Sequence, residues 1–428
     1  MSAVSAVSPA RARWNKAFQG LQKMGRSLQL PIAVLPAAGI LNRLGQPDVF
    51  GADGLGWDNL SKVMGAAGGA LLDGQLGLPM LFCVGVAIGM AKKSDGSTAL
   101  AAVVGFLVYY NVLRAFPETC PGGSVKIKLG CQLEDNSVVE FSYQNPGVFG
   151  GIVIGLLSAY FWKRYHRTKL VDWLGFFNGR RLVPIIMAFV AAAFASLCLW
   201  VWPPIGTGLE NFSDWLVGLG AWGSGVFGLA NRALLVIGLH QFLNVPIWFQ
   251  FGSYTKPDGQ VVHGDINMFL AGDPNAGQFL TGFFPIMMFA LPAAALAMTH
   301  TAKPHRRKEI GGLMLSVALT SFVTGITEPL EYSFLFIAPL LYAVHAVLTG
   351  VSMAVTWGLG VHDGFSFSAG LIDYIINWNL ATKPWLIVPI GLCFAAVYYA
   401  IFRFAITKFD LKTPGREPDE DVEDTTKA

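Results

Sequence analysis

Apolar residues run along this chain in blocks long enough to cross a bilayer, and most polar residues fall between the blocks. A helical span needs about 20 predominantly apolar residues. Regular spans are predicted at 28–45, 75–91, 97–115, 146–162, 182–202 and 384–407. Between 215 and 378 the chain stays apolar but is interrupted by Gly, Pro and isolated charges, which predicts four or five less regular spans. The fold class expected is therefore an all-α polytopic membrane protein. Residues 1–27 are read as a cytoplasmic leader in which 14–27 form either a short amphipathic surface helix or plain chain, with Trp14, Phe18, Leu21 and Gly25 near one face. The tail 409–428 is charged and contains Pro and Gly, so disorder is predicted there.

Composition agrees with the pattern. The chain is 53% hydrophobic and 13% charged, against roughly 25% charged in soluble domains. Charge sign alternates across successive spans. Residues 1–27 hold five basic residues and no acid, 46–74 four Asp and one Lys, and 163–181 six basic residues and one acid. By the positive-inside rule this places both termini, Lys92-Lys93, 163–169 and 303–309 in the cytoplasm. No signal peptide is expected in the leader. Cys83, Cys198 and Cys393 lie in apolar spans and read as inert core residues. Cys120 and Cys131 share a loop read as external, either as a disulfide or as two free thiols.

Within this texture Gly325-Ile326-Thr327-Glu328-Pro329-Leu330-Glu331 stands out, with two carboxylates set in apolar sequence. An ionised carboxylate at membrane depth costs about 2.5–3.5 kcal/mol even on the lenient insertion scale. Pro329 also removes a helical donor. The segment reads as a broken helix or re-entrant turn lining a polar cavity, because lipid does not tolerate exposed backbone. A buried ion pair or a helix cap is the competing account of its carboxylates. Arg232, His240 and Asn244 are spaced to share one face if 232–244 is a single helix. Arg232 could instead snorkel to an interface, and His240 could be a satisfied core residue. Asp265 is expected to cap a short helix, and Asp273-Pro274-Asn275 to form a turn. His362-Asp363-Gly364-Phe365-Ser366-Phe367-Ser368, followed by Asp373, could line the same cavity or cap a hairpin. The second half, 203–408, is interrupted by glycines and prolines, including Pro203, Pro204 and Pro329. Transporters place their sites on discontinuous helices, so it is read as the substrate-carrying part and 28–202 as scaffold. No phosphate-binding loop, zinc spacing or voltage-sensor arginine series is present in the sequence.

GITEPLE with the following YSFLFIAPLLYAVHAVLTG, and GLHQFLNVPIW, HGDINMFLAGDP, DLKTPGRE and FQGLQKMGRSLQLPIAVLPAAGIL, together resemble a known family. It is the membrane (C) component of enzyme II of the bacterial phosphoenolpyruvate-dependent sugar phosphotransferase system, in its glucose/N-acetylglucosamine branch. GDINMFLAGDPNAGQFLTGFFPIMMFALPAAALAM is more similar to N-acetylglucosamine permeases, with glucose as the runner-up sugar.

The resemblance implies a homodimer of ten-helix subunits with re-entrant hairpins, an elevator-type transporter in the bacterial cytoplasmic membrane. It implies that Arg232, His240 and Glu328 bind sugar, while Glu331 takes the second acidic position and could be structural. Asn244 and Thr327 are added as candidate sugar ligands, and His240 and Glu328 as the catalytic pair. Arg232 is expected to neutralise Glu328. In many members a cytoplasmic B domain bearing the phosphorylated cysteine follows LKTPGRE. Only twelve residues follow Arg416 here, so a separate phosphorylated B protein is the expected partner. No cofactor, metal or nucleic acid is expected. An ion-coupled sugar symporter, a passive channel and a sugar-sensing receptor are the rival classes.

Overall fold

The computed structural model describes residues 33–72, 76–91, 95–116, 145–256 and 261–416, with shorter pieces at 23–24, 27–28, 31, 125–127, 130–132, 138–139 and 259. Residues 1–22, Lys92-Lys93, Cys120 and 417–428 fall outside the described residues. So do the expectations placed on them, including the disulfide. The structure is mainly helical. Its contacts gather into two compact units: residues up to Gly218 with Leu234–Asp273, and Leu219–Ala233 with Pro274 onward.

The first unit contains α1 (Leu35–Leu44), α2 (Asp58–Leu72), α3 (Gly77–Met90), α4 (Gly96–Arg114), α5 (Val148–Tyr165) and α6 (Leu182–Gly218). Later in the chain it adds α8 (Gln241–Phe249) and α9 (Asp265–Leu270). Two small antiparallel sheets interrupt the all-helical pattern. One has strands β1 (Val125–Ile127), β2 (Gly130–Gln132) and β3 (Val138–Val139), and the other pairs β4 (Ser253–Thr255) with β5 (Val261–His263). Cys83, Phe106, Tyr109, Ile154, Trp162, Met187 and Ala191 form part of this unit's core. Glycine permits the close helix contacts, as in membrane bundles generally. A Cβ on Gly151 would come within 2.2 Å of the Pro79 carbonyl, and one on Gly155 within 2.4 Å of the Cys83 carbonyl.

The second unit contains α7 (Ala221–Leu235), a π-helical segment (Pro285–Ala290) running into α10 (Leu291–Thr301), then α11 (Arg307–Thr324) and α12 (Glu328–Leu335). It ends with α13 (Pro339–Gly358), α14 (Leu371–Ile376) and α15 (Ile387–Lys408). Small residues again set the packing: a Cβ on Gly282 would lie 2.2 Å from the Met353 Cα. The widened turn at Pro285–Ala290 is stitched by Ser321, whose hydroxyl donates to the Met287 carbonyl at 2.6 Å.

Several expectations need correction. Pro203 and Pro204 do not interrupt the chain, because both sit inside the 37-residue α6. Each removes one backbone donor, but the long apolar runs on either side keep their ladders, as membrane helices with proline commonly do. Residues 234–273 fall with the first compact unit, while the scaffold and substrate-carrying halves drawn at residue 203 remain an expectation about function. Cys393 is exposed rather than in the core, unlike Cys83 and Cys198. The tail is folded as far as Arg416. Thr413 is fully buried, Gly415 O accepts from Lys303 N at 3.0 Å, and the Arg416 guanidinium donates to the carbonyls of Leu411 and Thr301 and to Asp410. Among the described residues, four helices are long and apolar enough to cross a membrane, or five if the pair α2 and α3, bent by 50°, is one span.

Candidate functional site

The GITEPLE segment is a helix break. α11 ends where Gly325 adopts φ 72°, a left-handed conformation that glycine enters without penalty. Three residues later α12 starts at Glu328, with Pro329 in its first turn, where a missing N–H costs nothing. Thr327 makes no side-chain cap, but its carbonyl accepts from Leu330 N and Glu331 N at 3.0 and 2.9 Å. The loop at 366–370 packs backbone to backbone against the break. Ser368 Oγ donates to Gly325 O at 2.9 Å, and a Cβ on Gly370 would come within 2.5 Å of Gly325 N.

The two carboxylates of the motif part company. Glu328 is half-buried. Glu331 is fully buried, with a relative exposure of 0%. Arg232 Nη1 on α7 donates to Glu331 Oε1 at 2.7 Å, so the guanidinium expected beside Glu328 is paired with Glu331 instead. The reason is helical geometry, since Glu331 lies one turn into α12 and points to the protein interior that Arg232 also occupies. His345 Nε2 on α13 lies 3.1 Å from the same Oε1, and His345 Nδ1 lies 2.9 Å from the Tyr398 hydroxyl on α15. Tyr342 Oη donates to the Arg232 carbonyl at 2.6 Å, and the guanidinium sits 5.1 Å over the Phe283 ring. Breaking such a pair strands a buried charge. Two polar atoms of the pair, Glu331 Oε2 and Arg232 Nε, have no hydrogen-bond partner among the described residues.

Arg232, Thr327, Glu328 and Glu331 thus belong to the second unit, and Thr327 is buried. His240 and Asn244 belong to the first. The continuous helix expected from 232 to 244 does not form. α7 stops at Leu235, Gly238 takes φ 73°, Leu239 N closes the turn on Leu234 O at 2.9 Å, and α8 begins at Gln241. His240 is half-buried with Nε2 2.9 Å from Gln241 Nε2, and Asn244 is buried on α8.

The polar island at 361–373 caps a turn. Asp373 Oδ1 accepts from Ser366 N and Ser366 Oγ, both at 2.7 Å, and Asn377 Nδ2 donates to Gly364 O at 2.9 Å. Asp265 opens α9, but the cap position itself is Gly264 at φ 86°. Sequence reasoning passed over His345 and Tyr398. A histidine inside the apolar run PLLYAVHAVLTG was a sufficient signal, because an ionisable group at membrane depth needs a partner. Among the described residues no His, Cys, Asp and Glu cluster could hold a metal.

Residues 25–350 match the family described as phosphotransferase system, EIIC. This chain belongs to that EIIC family. It is 64% identical over 427 residues to the "PTS system N-acetylglucosamine-specific EIIC component" of Streptomyces coelicolor, covering 100% of both chains. It is 46% identical over 404 residues to the "PTS system N-acetylglucosamine-specific EIICB component" of Bacillus subtilis, covering 94% of this chain and 80% of that protein. The crystal structure of the transporter ChbC, the IIC component from the N,N'-diacetylchitobiose-specific phosphotransferase system, aligns with a TM-score of 0.55 at 16% identity. The alignment covers 91% of this chain and 93% of that one, and the likeness is one of fold. The resemblance drawn from the motifs is borne out. This EIIC component, with four or five helices able to span among the described residues, is a multi-pass bacterial membrane protein of a sugar phosphotransferase system.

Proposed function

We propose that this EIIC component imports N-acetylglucosamine and presents it for 6-phosphorylation by a separate phosphorylated B protein. The observation that carries the proposal is the split of the two carboxylates. Glu331 is neutralised inside the protein by Arg232, while Glu328, one turn away, is half-buried and makes no ion pair with Arg232. A carboxylate of that kind suits a hydroxylated ligand, to which it offers acceptors without being consumed by a cation. The N-acetylglucosamine specificity named for the two relatives supports the sugar. The full-length match to a protein titled EIIC supports a B component in trans.

In this proposal Glu328 accepts hydrogen bonds from ring hydroxyls. Arg232 and Glu331 hold the turn that carries it, and the spare atoms Arg232 Nε and Glu331 Oε2 give the pair capacity for a sugar oxygen or hydroxyl. Thr327 and Asn244 complete the polar ligand set. His240 takes the proton from the 6-hydroxyl as its oxygen bonds to phosphorus and the sulfur–phosphorus bond of the partner's phosphocysteine breaks. The transition state of such a transfer is loose, so positioning and charge compensation outweigh strong base catalysis. The product phosphate, at about −1.5 to −2, is repelled by Glu328, which favours release. We further propose a homodimer of ten-helix subunits working as an elevator, with the first half as scaffold, the second carrying the sugar, and both termini cytoplasmic.

The test is sugar binding by Glu328→Gln, with N-acetylglucosamine and glucose titrated against the purified protein. Expected are a clear preference of the native protein for N-acetylglucosamine and a loss of affinity of at least about tenfold in the variant, as for a buried hydrogen bond to a charged group. Normal affinity in Glu328→Gln would sink the assignment, and equal or better binding of glucose would move the substrate to the runner-up. Accumulation of unmodified sugar driven by an ion gradient would favour a symporter.

A further inference from the structure

Glu331 receives more support than an ion pair needs. Its Oε1 already accepts from Arg232 at 2.7 Å when His345 Nε2 approaches at 3.1 Å. A carboxylate oxygen cannot donate, so that contact is a hydrogen bond only with the proton on Nε2. In the neutral ring Nδ1 is then an acceptor for the Tyr398 hydroxyl, 2.9 Å away, whose single proton is shared with the His345 carbonyl at 3.3 Å. With the ring neutral, the donors run from Tyr398 through His345 to Glu331 and add no second cation beside Arg232. All three residues are fully buried. The His345 backbone is tied as well, since its carbonyl accepts from Thr349 Oγ1 at 2.9 Å.

α12 has eight residues and no side-chain cap. A helix that short holds its roll through side-chain tethers more than through its own ladder. Glu331 is such a tether, linking α12 to α7 through Arg232 and to α13 through His345. Glu328 is three residues before it, and residues at i and i+3 lie on the same side of a helix. Turning the Glu331 side chain must therefore turn the first residue of α12 as well.

We propose that His345 and Tyr398 are positioning residues for sugar binding: by fixing the rotamer of Glu331 they set the roll of α12 and so the aim of the Glu328 carboxylate. Neither touches the sugar. The inference rests on the reading of Glu328 as a sugar ligand.

The experiment measures N-acetylglucosamine affinity of the full chain in lipid nanodiscs. His345→Leu removes the donor to Glu331, and His345→Gln retains an amide donor there. Tyr398→Phe removes only the hydroxyl and keeps the ring, and serves if His345→Leu does not fold. Expected is a loss of about tenfold in His345→Leu and about threefold in Tyr398→Phe, with His345→Gln closer to native than to His345→Leu. In a Glu328→Gln background the same substitutions should lose most of their effect, because the carboxylate they aim is gone.

The inference is overturned if folded His345→Leu and Tyr398→Phe bind sugar normally, or if His345→Gln is as weak as His345→Leu. It is also overturned if the losses persist in full in the Glu328→Gln background, which would mark general loosening. If Glu328→Gln alone binds normally, the sugar role of Glu328 fails first and the positioning role falls with it.

Discussion

Arg232 and Glu331 stand 99 positions apart in the chain and meet at 2.7 Å, both out of contact with solvent. Removing one partner of such a pair strands the other, at a cost of about 3–5 kcal/mol, whereas exchanging both for apolar side chains of similar size is often near neutral. Arg232→Met and Glu331→Leu should each lower the thermal unfolding midpoint in detergent. The double variant should be destabilised by less than the sum of the two. An additive double variant would mean that the pair contributes no coupling.

Gly370 meets the helix break at backbone distance. Its substituent carbon would come within 2.5 Å of Gly325 N and 2.6 Å of Thr324 C, and neither atom can swing aside as a side chain can. Gly370→Ala should displace the GITEPLE turn and weaken N-acetylglucosamine binding by about tenfold or more, since a shift of ~1 Å can cost 10²-fold. Gly312→Ala, where a Cβ would meet nothing within 4 Å, is the control and should bind normally. Equal effects of the two substitutions would disprove a steric origin.

Asp95 caps α4 by accepting from Ser97 N at 3.0 Å. It also pairs with Arg180 at 2.7 Å. The Ser97 hydroxyl, and after it the Ser97 amide, the Arg180 charge and the Thr98 amide, hold its carboxyl below the usual carboxylate range, against the smaller opposing effect of burial. A folded-state pKa below the unfolded one means that the contribution is complete above the unfolded value, about 3.9. It is lost as pH falls through the folded value. Asp95→Asn should therefore unfold at a lower temperature than the native chain at pH 7, and the gap should narrow on acidification below pH ~4. A gap that is constant or grows with acid would show that the ionised form contributes nothing.

Arg416 makes three hydrogen bonds that order DLKTPGR, two within the segment, to Leu411 O and Asp410, and one to the Thr301 carbonyl at the end of α10. At ~0.5–1.5 kcal/mol each, their loss in Arg416→Ala should raise local opening by about tenfold or more. Cleavage after the exposed Lys412 by a lysine-specific protease should accelerate to match. An unchanged rate would show that Thr413 and Gly415 hold the segment without the arginine.

Much of the site was legible before any folding was considered. Gly325 and Pro329 around two carboxylates in an apolar run permit few structures, because only glycine takes φ 72° freely and proline cannot continue a ladder. The break between α11 and α12 follows from those residues alone. The single helix drawn from Arg232 to His240 did not form, because Gly238 can take either hand and spacing cannot tell which it takes. The disorder expected beyond Phe409 does not hold as far as Arg416, for a related reason. DLKTPGR is polar enough for a linker, but Arg416 reaches the Thr301 carbonyl and Gly415 O accepts from Lys303 N, contacts that composition cannot reveal.

The sequence by itself determined the membrane class and the broken helix with its two carboxylates, since hydrophobic length and the cost of buried charge act locally along the chain. Only the tertiary structure decided which carboxylate Arg232 neutralises, and that His345 and Tyr398 stand behind it. The choice between Glu328 and Glu331 turns on the direction of one short helix, and that direction is set by contacts from the neighbouring α13 and from α7 and α15, which lie far away in sequence.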